Sequence, residues 1–354
     1  MRTSSRKLFV ALAVLVVLGY VIYRSSGMLH GGSFSGAKLL QAIRNANPYL
    51  LIFSIFAIYI CYAIRALRWK VFQGNLGPSR FWQIYSMTLA GFTAVFLLGR
   101  AGEPVRPALL ARKENLPFAD MFGIYALERI FDFASMAVIA SIGLFLFRTH
   151  SMATQGAGAL EAAAKTTGSF FSAAVLGAIV FLVYLRLHGT ALLERRLRGW
   201  HAAHGWRALA ARILVGFVRG VQAIRSVGEL VAALFYSAAH WFLVAVIYLW
   251  VSRAFGGTLG TIHLGDALLV LAFTLVGSAV QVPAVGGGAQ AATFLVYTKI
   301  LGVDAERALA AAIVLWLISF AACSLAGVPL LLREGFSPGK LRELAEHEKQ
   351  EMEA

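Results

Sequence analysis

Residues 97–106 place charged residues and helix-breaking residues directly after an apolar run. The run, residues 81–98, is almost long enough to cross a bilayer, and the stretch after it holds two Arg, one Glu, two Gly and one Pro. A charge at the bilayer centre costs about 2.5–3.5 kcal/mol on insertion scales. An interrupted backbone in lipid also leaves polar groups unpaired unless it is buried in protein or lines a wet cavity. We therefore expect this stretch to lie at a functional site.

The composition predicts an all-α, polytopic membrane protein. Hydrophobic residues make up 59% of the 354 residues, and only 14% are charged, which gives a mean hydropathy of +0.73. These values exclude an ordinary soluble domain. The net charge of +15 would suggest nucleic acid in a soluble protein. The Lys and Arg residues lie between apolar runs, however, so the positive-inside rule explains them better and we expect no nucleic-acid partner.

About six apolar runs are predicted to cross the membrane fully. They are residues 8–23, 48–64, 119–147, 170–187, 230–251 and 308–332. Residues 81–112 are basic at both flanks, so we predict a re-entrant hairpin that enters from the cytoplasm and breaks at residues 99–104; the alternative is a true span with a positive outer loop. Residues 268–301 break at residues 283–288, and the second piece, residues 289–301, is too short to span comfortably. They are predicted to form a second re-entrant hairpin, entered from outside.

The positions of Lys and Arg predict the orientation of the chain. Residues 65–80 hold four basic residues and are predicted to be a cytoplasmic loop, so both termini are expected in the cytoplasm. Residues 186–229 hold eight Arg and no Lys. They are predicted to contain an amphipathic helix that lies on the membrane interface or packs on the protein's own cytoplasmic face. Residues 1–332 would then form the membrane domain, and residues 333–354 a polar cytoplasmic tail.

The two interrupted segments echo each other in sequence. Residues 91–93 read Gly-Phe-Thr before the first break, and residues 272–274 read Ala-Phe-Thr before the second. Interrupted apolar segments at corresponding places in two halves are the best sequence indication of a transporter site built from inverted repeats. We therefore predict a possible inverted repeat.

Charged residues around the first break form the leading candidate site. They are Arg100, Glu103, Arg106, Glu128, Arg129 and Asp132. Glu128 and Asp132 are four residues apart and should share one helix face. The cluster is interpreted as a polar cavity in which Arg makes bidentate contacts to a phosphate head group, or else as a structural ion-pair network. In the first case Arg106→Ala and Glu103→Gln should abolish activity without unfolding the protein.

The second break supplies further candidate residues for binding an anion. They are Gln281, Pro283, Gly286, Gly287, Gly288 and Gln290. Glycines allow the backbone to turn and a ligand to approach closely. A half-helix starting near Ala289 would direct free N–H groups into the cavity, which suits a lipid phosphate. The alternative is tight helix packing through small residues. We find no motif for a metal or another cofactor and expect none.

Two motif pairs resemble the flippase-like family, which is the membrane region of bacterial lysylphosphatidylglycerol synthetases and of stand-alone relatives. GRAGEPVR at residues 99–106, followed by LERIFD at residues 127–132, resembles the family's paired R-x-G-E-x-x-R and E-R-x-x-D signatures. VPAVGGG at residues 282–288, followed by LGV at residues 301–303, resembles its second signature.

The resemblance implies a transporter-like protein of the bacterial cytoplasmic membrane. In the synthetases this region is associated with moving an aminoacylated lipid, and a separate soluble module transfers the aminoacyl group. This chain departs from the pattern at two positions, since a usual Glu is Ala291 or Ala292 and a usual Arg is Trp316. The head-group preference is therefore expected to differ.

The leading hypothesis is a lipid translocator that moves a phospholipid or a lipid-linked anionic head group through the charged cavity. The alternatives are a membrane-embedded transferase that uses Glu128 and Asp132 on a lipid-linked substrate, and a scaffold that binds a partner through the Arg-rich segment. The expected partners are anionic or phosphate-bearing membrane lipids, with a homo-oligomer or a separate lipid-modifying enzyme as further possibilities. The enzyme hypothesis is the weaker one, because no soluble catalytic domain is visible.

Overall fold

The computed structural model describes residues 35–77, 79–151, 214, 223–279, 281–282 and 286–335. Within these residues the chain is helical apart from short connections and one pair of two-residue strands. It is an all-α, polytopic membrane protein, as predicted. The predicted spans at residues 8–23 and 170–187, most of the Arg-rich segment, and the tail after residue 335 lie outside the described residues.

Ten α-helices follow one another in the described part of the chain. They are α1 (Gly36–Arg44), α2 (Pro48–Gln73), α3 (Phe81–Leu98), α4 (Val105–Glu114), α5 (Phe118–Ser151), α6 (Val227–Ala254), α7 (Leu264–Gly277), α8 (Gly288–Leu295), α9 (Ala305–Trp316) and α10 (Cys323–Arg333). Short 3₁₀ turns cover Gly99–Gly102 and Gly257–Thr261, and π-helical turns cover Val296–Ile300 and Leu317–Ala321. Strands β1 (Gln281–Val282) and β2 (Gly286–Gly287) pair antiparallel.

Four helical segments of the described residues are long and apolar enough to cross a membrane, judged by length and composition. They are Pro48–Gln73, Phe81–Gly102, Val227–Ala254 and Ala305–Arg333. Helix α5 is longer still, with 34 residues. Large apolar side chains point outward from these helices, including Phe56, Phe235 and Leu325, each at least 66% exposed. Such an outer surface suits contact with lipid.

Helix α2 corrects one prediction from the sequence. We predicted a span that ends at residue 64, followed by a cytoplasmic loop that contains Arg65 and Arg68. Instead α2 continues to Gln73, and both Arg side chains are buried, with 6% and 1% of their surfaces exposed. Carboxylates on α5 pair with them, and a buried charge is tolerated when it is paired.

The first interrupted segment forms the predicted hairpin. Helices α3 and α4 run antiparallel, so the Gln83 side chain at the start of α3 donates to the backbone carbonyl of Lys113 near the end of α4 at 3.4 Å. Gly99 turns the chain with a positive φ of 67°. Gly91 lets the two helices approach, because a Cβ there would lie 2.4 Å from the Arg106 Cβ. The chain thus enters and leaves this segment at the same end of the bundle.

Replacing Gly91 with Ala should push the two arms of the hairpin apart. Overpacking of this kind typically costs about 1–3 kcal/mol, so the midpoint of thermal unfolding in detergent should fall. Gly228→Ala is the matched control, since its Cβ would meet nothing closer than 3.8 Å, and a helical Gly→Ala change then stabilises by about 0.5–1 kcal/mol. Equal midpoints for the two variants would contradict the close packing of the hairpin.

The second interrupted segment is also a hairpin, as predicted. Helices α7 and α8 pack antiparallel, and the hydroxyls of Thr274 and Thr293 share a hydrogen bond of 2.6 Å between them. A Cβ on Gly277 would lie 2.4 Å from the carbonyl oxygen of Gly288. The backbone between the two helices turns through the β1–β2 pair.

The two hairpins enter the bundle from opposite ends. Helices α2 and α6 are antiparallel, with Asn75 bonded to Glu229 at one end and Asn47 bonded to Ala254 at the other. The first hairpin starts shortly after the end of α2, and the second starts shortly after the end of α6. Their tips meet, where the Arg100 side chain donates to the carbonyl oxygen of Ala279 at 3.4 Å. This arrangement is the one that an inverted repeat would produce.

Candidate functional site

A buried ion cluster joins helices α2, α4 and α5. Glu128 is at its centre and is fully buried. Its Oε1 accepts hydrogen bonds from Arg65 at 3.0 Å and from Arg68 at 2.9 Å, and its Oε2 accepts from Arg106 at 2.6 Å. One carboxylate therefore holds three guanidinium groups together.

Asp132 lies one turn further along α5 and contacts the same pair of arginines. Its Oδ2 accepts from Arg65 at 3.0 Å, its Oδ1 accepts from Arg68 at 2.8 Å, and Arg129 Nη2 lies 2.9 Å from Oδ2. The four-residue spacing of Glu128 and Asp132 thus places them on one helix face, as expected. Arg68 also donates to Ser237 at 2.8 Å, which ties the cluster to α6.

The charge balance differs from the prediction. The sequence predicted three positive and three negative charges that neutralise one another. Among the described residues, the cluster holds four arginines and two carboxylates, a net charge of +2; three of the arginine side chains are at most 7% exposed, and that of Arg129 is 31% exposed. Sequence reasoning missed Arg65 and Arg68 because they were assigned to a loop. Their spacing of three residues on α2, facing a pair of carboxylates, was the signal that could have found them.

Arg100 and Glu103 lie at the tip of the first hairpin, outside the buried cluster. Their side chains are 61% and 32% exposed, and the two charges are 3.6 Å apart. The hydroxyl of Tyr125 donates to Glu103. Since these two opposite charges cancel, they leave the surplus of +2 unchanged.

A cavity of about 620 Å³ lies between the two hairpins. Arg65, Arg106, Arg129 and Asp132 line its charged side, while Arg100 and Glu103 also contribute to its wall. The remaining wall is largely apolar and aromatic, with contributions from Ile58, Phe92, Trp241, Leu271, Leu315 and Trp316. The volume is within the range of small-molecule sites, about 300–1,000 Å³. The cavity therefore suits a molecule with one charged end and one apolar end.

Several buried N–H groups on residues that line this cavity have no hydrogen-bond partner within the described part of the chain. They are Arg106 Nε and Nη2, Arg129 Nε, His240 Nδ1 and Trp241 Nε1. His240 Nε2 accepts from Arg65 Nε at 3.1 Å, so we infer that the imidazole proton resides on Nδ1. All five unpaired groups are therefore donors.

The second break contributes wall residues and a specialised backbone. Gly286 and Gly287 adopt φ angles of 89° and 119°, which other residues rarely adopt. Gln290 lies on the cavity wall, but its Oε1 accepts the N–H of Gly287 at 2.6 Å and caps its own helix. The carbonyl of Gly288 packs against Gly277, which favours the interpretation of tight packing for that residue.

Two predicted site residues cannot be placed in the same detail. Pro283 lies outside the described residues, and for Gln281 the structure describes only the backbone, in β1. The two departures from the family pattern put apolar groups at these positions, and Trp316 lines the cavity. The Trp316 ring lies 5.7 Å from the Phe96 ring, and the Ala292 methyl group faces Gly277.

The comparisons with known proteins agree with the fold. A family model described as "Lysylphosphatidylglycerol synthase TM region" matches residues 8–327. A "UPF0104 membrane protein" from Methanothermobacter thermautotrophicus is 24% identical over 342 residues, which cover 89% of this chain and 93% of the relative. A second match to a protein of that name and organism is 29% identical over 124 residues, 33% of this chain and 35% of the relative. No solved structure gives a significant match. The chain belongs to the family of the lysylphosphatidylglycerol synthase transmembrane region.

Proposed function

We propose that this protein is a lipid translocator that moves a lipid with an anionic head group across the membrane. The observation that supports this most strongly is the net charge of +2 on an ion cluster that lines an otherwise apolar cavity. Uncompensated charge is costly to bury. An anionic head group in the charged side of the cavity, with its chains against the apolar side, would offset that cost.

The surplus charge is carried by the two arginines that each have a single carboxylate contact. Arg65 and Arg68 each bind both Glu128 and Asp132, so these four groups neutralise one another. Among the described residues, Arg106 has Glu128 as its one carboxylate partner, through one nitrogen. Within the same residues Arg129 has Asp132 as its one carboxylate partner, and it lines the cavity with Arg106. A head-group anion is thus expected to lie between Arg106 and Arg129.

The same contacts weaken the transferase alternative. A general acid or base needs a carboxylate that is available to the substrate. Glu128 and Asp132 are each bonded to three guanidinium groups, and at most 4% of either residue is exposed. Two hairpins that enter from opposite ends around one cavity are instead typical of transporters.

The proposal includes an orientation. The first hairpin would open to the cytoplasm and the second to the outside of a bacterial cytoplasmic membrane, because the exposed Lys70 and Arg80 flank the connection between α2 and α3 and the Arg-rich segment is basic. The lipid would enter the cavity sideways, with its head group on the ion cluster and its chains in the bilayer.

The direct test compares lipids retained by purified wild-type protein, Arg106→Ala and the control Arg112→Ala. Arg112 is an exposed residue of α4 whose guanidinium contacts the Glu334 carbonyl at 3.4 Å. Mass spectrometry should show one anionic lipid enriched in the wild type and the control and lost in Arg106→Ala. A fluorescent analogue of that lipid should then cross proteoliposome membranes with the wild type and with Arg112→Ala, but not with Arg106→Ala. A bulk-membrane lipid profile in all three would contradict the proposal.

A further inference from the structure

We propose that the cargo head group is a phosphate monoester, a dianion without a cationic substituent. This inference rests on the proposed function and specifies the head group that the same cavity takes. Two independent features of the site support it, the surplus charge of the cluster and the kind of hydrogen-bonding group left unpaired on residues that line the cavity.

The surplus charge matches a dianion. Four arginines and two carboxylates leave two positive charges, on Arg106 and Arg129. A phosphate monoester carries a charge of about −1.5 to −2 at pH 7, whereas the diester of a common phospholipid carries only one negative charge. A monoester therefore neutralises the cluster, and a diester leaves about one positive charge uncompensated, on the buried Arg106 or the partly exposed Arg129.

The unpaired polar groups also favour a ligand that only accepts hydrogen bonds. Within the described part of the chain, Arg106, Arg129, His240 and Trp241 hold five buried N–H groups without partners. A phosphate monoester offers three terminal oxygens, all acceptors. An ammonium group offers only donors, so the ammonium part of an aminoacylated head group could not pair with these N–H groups and would add positive charge to positive charge.

The ring faces around Arg106 hold its guanidinium in place. Its Cζ lies 4.3 Å from the centre of the Trp69 ring and 5.8 Å from that of Phe92, and Nη1 is fixed by Glu128. Arg129 lies over Tyr125 at 5.1 Å. Both cations are thus positioned before a ligand arrives, which reduces the entropy lost on binding.

The test uses two ligands that differ by one charge. Geranyl phosphate and its methyl diester share the same chain, and their binding to the detergent-purified protein can be compared by calorimetry. We expect the monoester to bind roughly tenfold or more tightly, since a hydrogen bond to a charged group contributes about 1.5–3 kcal/mol. Geranylamine should not bind. Inorganic phosphate should bind much more weakly than geranyl phosphate, because it lacks the apolar part.

Variants of Arg129 make the charge argument specific. Arg129→Gln reduces the surplus to one charge. The affinity for the monoester should then exceed that for the diester by no more than about threefold, because one hydrogen bond to a charged group is lost. Arg129→Lys keeps the charge and should retain most of the preference for the monoester over the diester. It is therefore the control for a folding defect in Arg129→Gln. Arg112→Gln should behave as the wild type.

The outcomes separate this inference from the proposed function. Equal binding of monoester and diester, combined with lipid transport in proteoliposomes, would overturn the inference and leave the translocator intact. Preferential binding of the monoester without lipid transport would support the head-group assignment and overturn the translocator. Inorganic phosphate that binds as tightly as geranyl phosphate would show a site for free phosphate and would overturn the assignment to a lipid.

Discussion

Replacing Glu128 with Ala should prevent the protein from reaching its folded state. The side chain is fully buried and binds Arg65, Arg68 and Arg106. Its removal leaves the buried cluster with four guanidinium groups and Asp132 as the remaining carboxylate. Breaking a single buried ion pair by removing one partner costs about 3–5 kcal/mol, and three are broken at once. That loss is comparable with the whole stability of a typical domain, about 5–15 kcal/mol.

The measurement is the yield of monodisperse protein after extraction from membranes, followed by thermal unfolding. Glu334→Ala is the control, because its pair with Lys113 is near the surface at 2.8 Å and surface pairs contribute about 0–1 kcal/mol. Restoring charge balance should help, so Glu128→Gln combined with Arg68→Met should unfold at a higher temperature than Glu128→Gln alone. A Glu128→Ala protein with wild-type yield and midpoint would show that the cluster does not stabilise the fold.

The hairpins could be predicted from sequence because their signals are local. The break after Leu98 is visible as glycine, proline and charge within eight residues, and basic residues on both flanks favour a hairpin over a simple crossing. The second break is equally visible in Gly286, Gly287 and Gly288. The antiparallel arms and the opposite entry points then follow from the order of the helices.

The composition of the ion cluster could not be predicted in the same way. The positive-inside rule assigns a charged residue by its place beside an apolar run, and by that rule Arg65 and Arg68 belong to a loop. Their burial depends on Glu128 and Asp132, which are 60–67 positions away in sequence. Pairing over such a distance is a property of the packed bundle. The surplus of positive charge, on which the proposed function depends, became visible only with the structure.

Replacing Arg106 with Met should remove cargo while leaving the lipid-free protein at least as stable as the wild type. Glu128 keeps its bonds to Arg65 and Arg68 after the change. One of the two surplus charges disappears, which relieves repulsion with the other three arginines. Exchanging a whole buried ion pair or triad for apolar side chains of similar volume is often neutral or stabilising by about 1–4 kcal/mol, and Arg106→Met approaches that case because Glu128 keeps two guanidinium partners. The Met side chain also keeps an apolar contact with Trp69, whose ring lies under the guanidinium.

This combination distinguishes a binding site from a structural ion network. A site that holds surplus charge for a ligand lowers the stability of the lipid-free protein. Arg106→Met should therefore lose both the enriched lipid and transport activity. Its delipidated form should unfold at a temperature equal to or higher than that of the delipidated wild type. A network that only fastens the first hairpin to α5 would behave in the opposite way, with a lower unfolding temperature and retained lipid. The two readouts come from one purified sample, and Arg112→Ala, on the exposed side of the same helix, should change neither. Loss of stability and retention of lipid together would assign Arg106 to the fold and remove the main support for an anionic cargo.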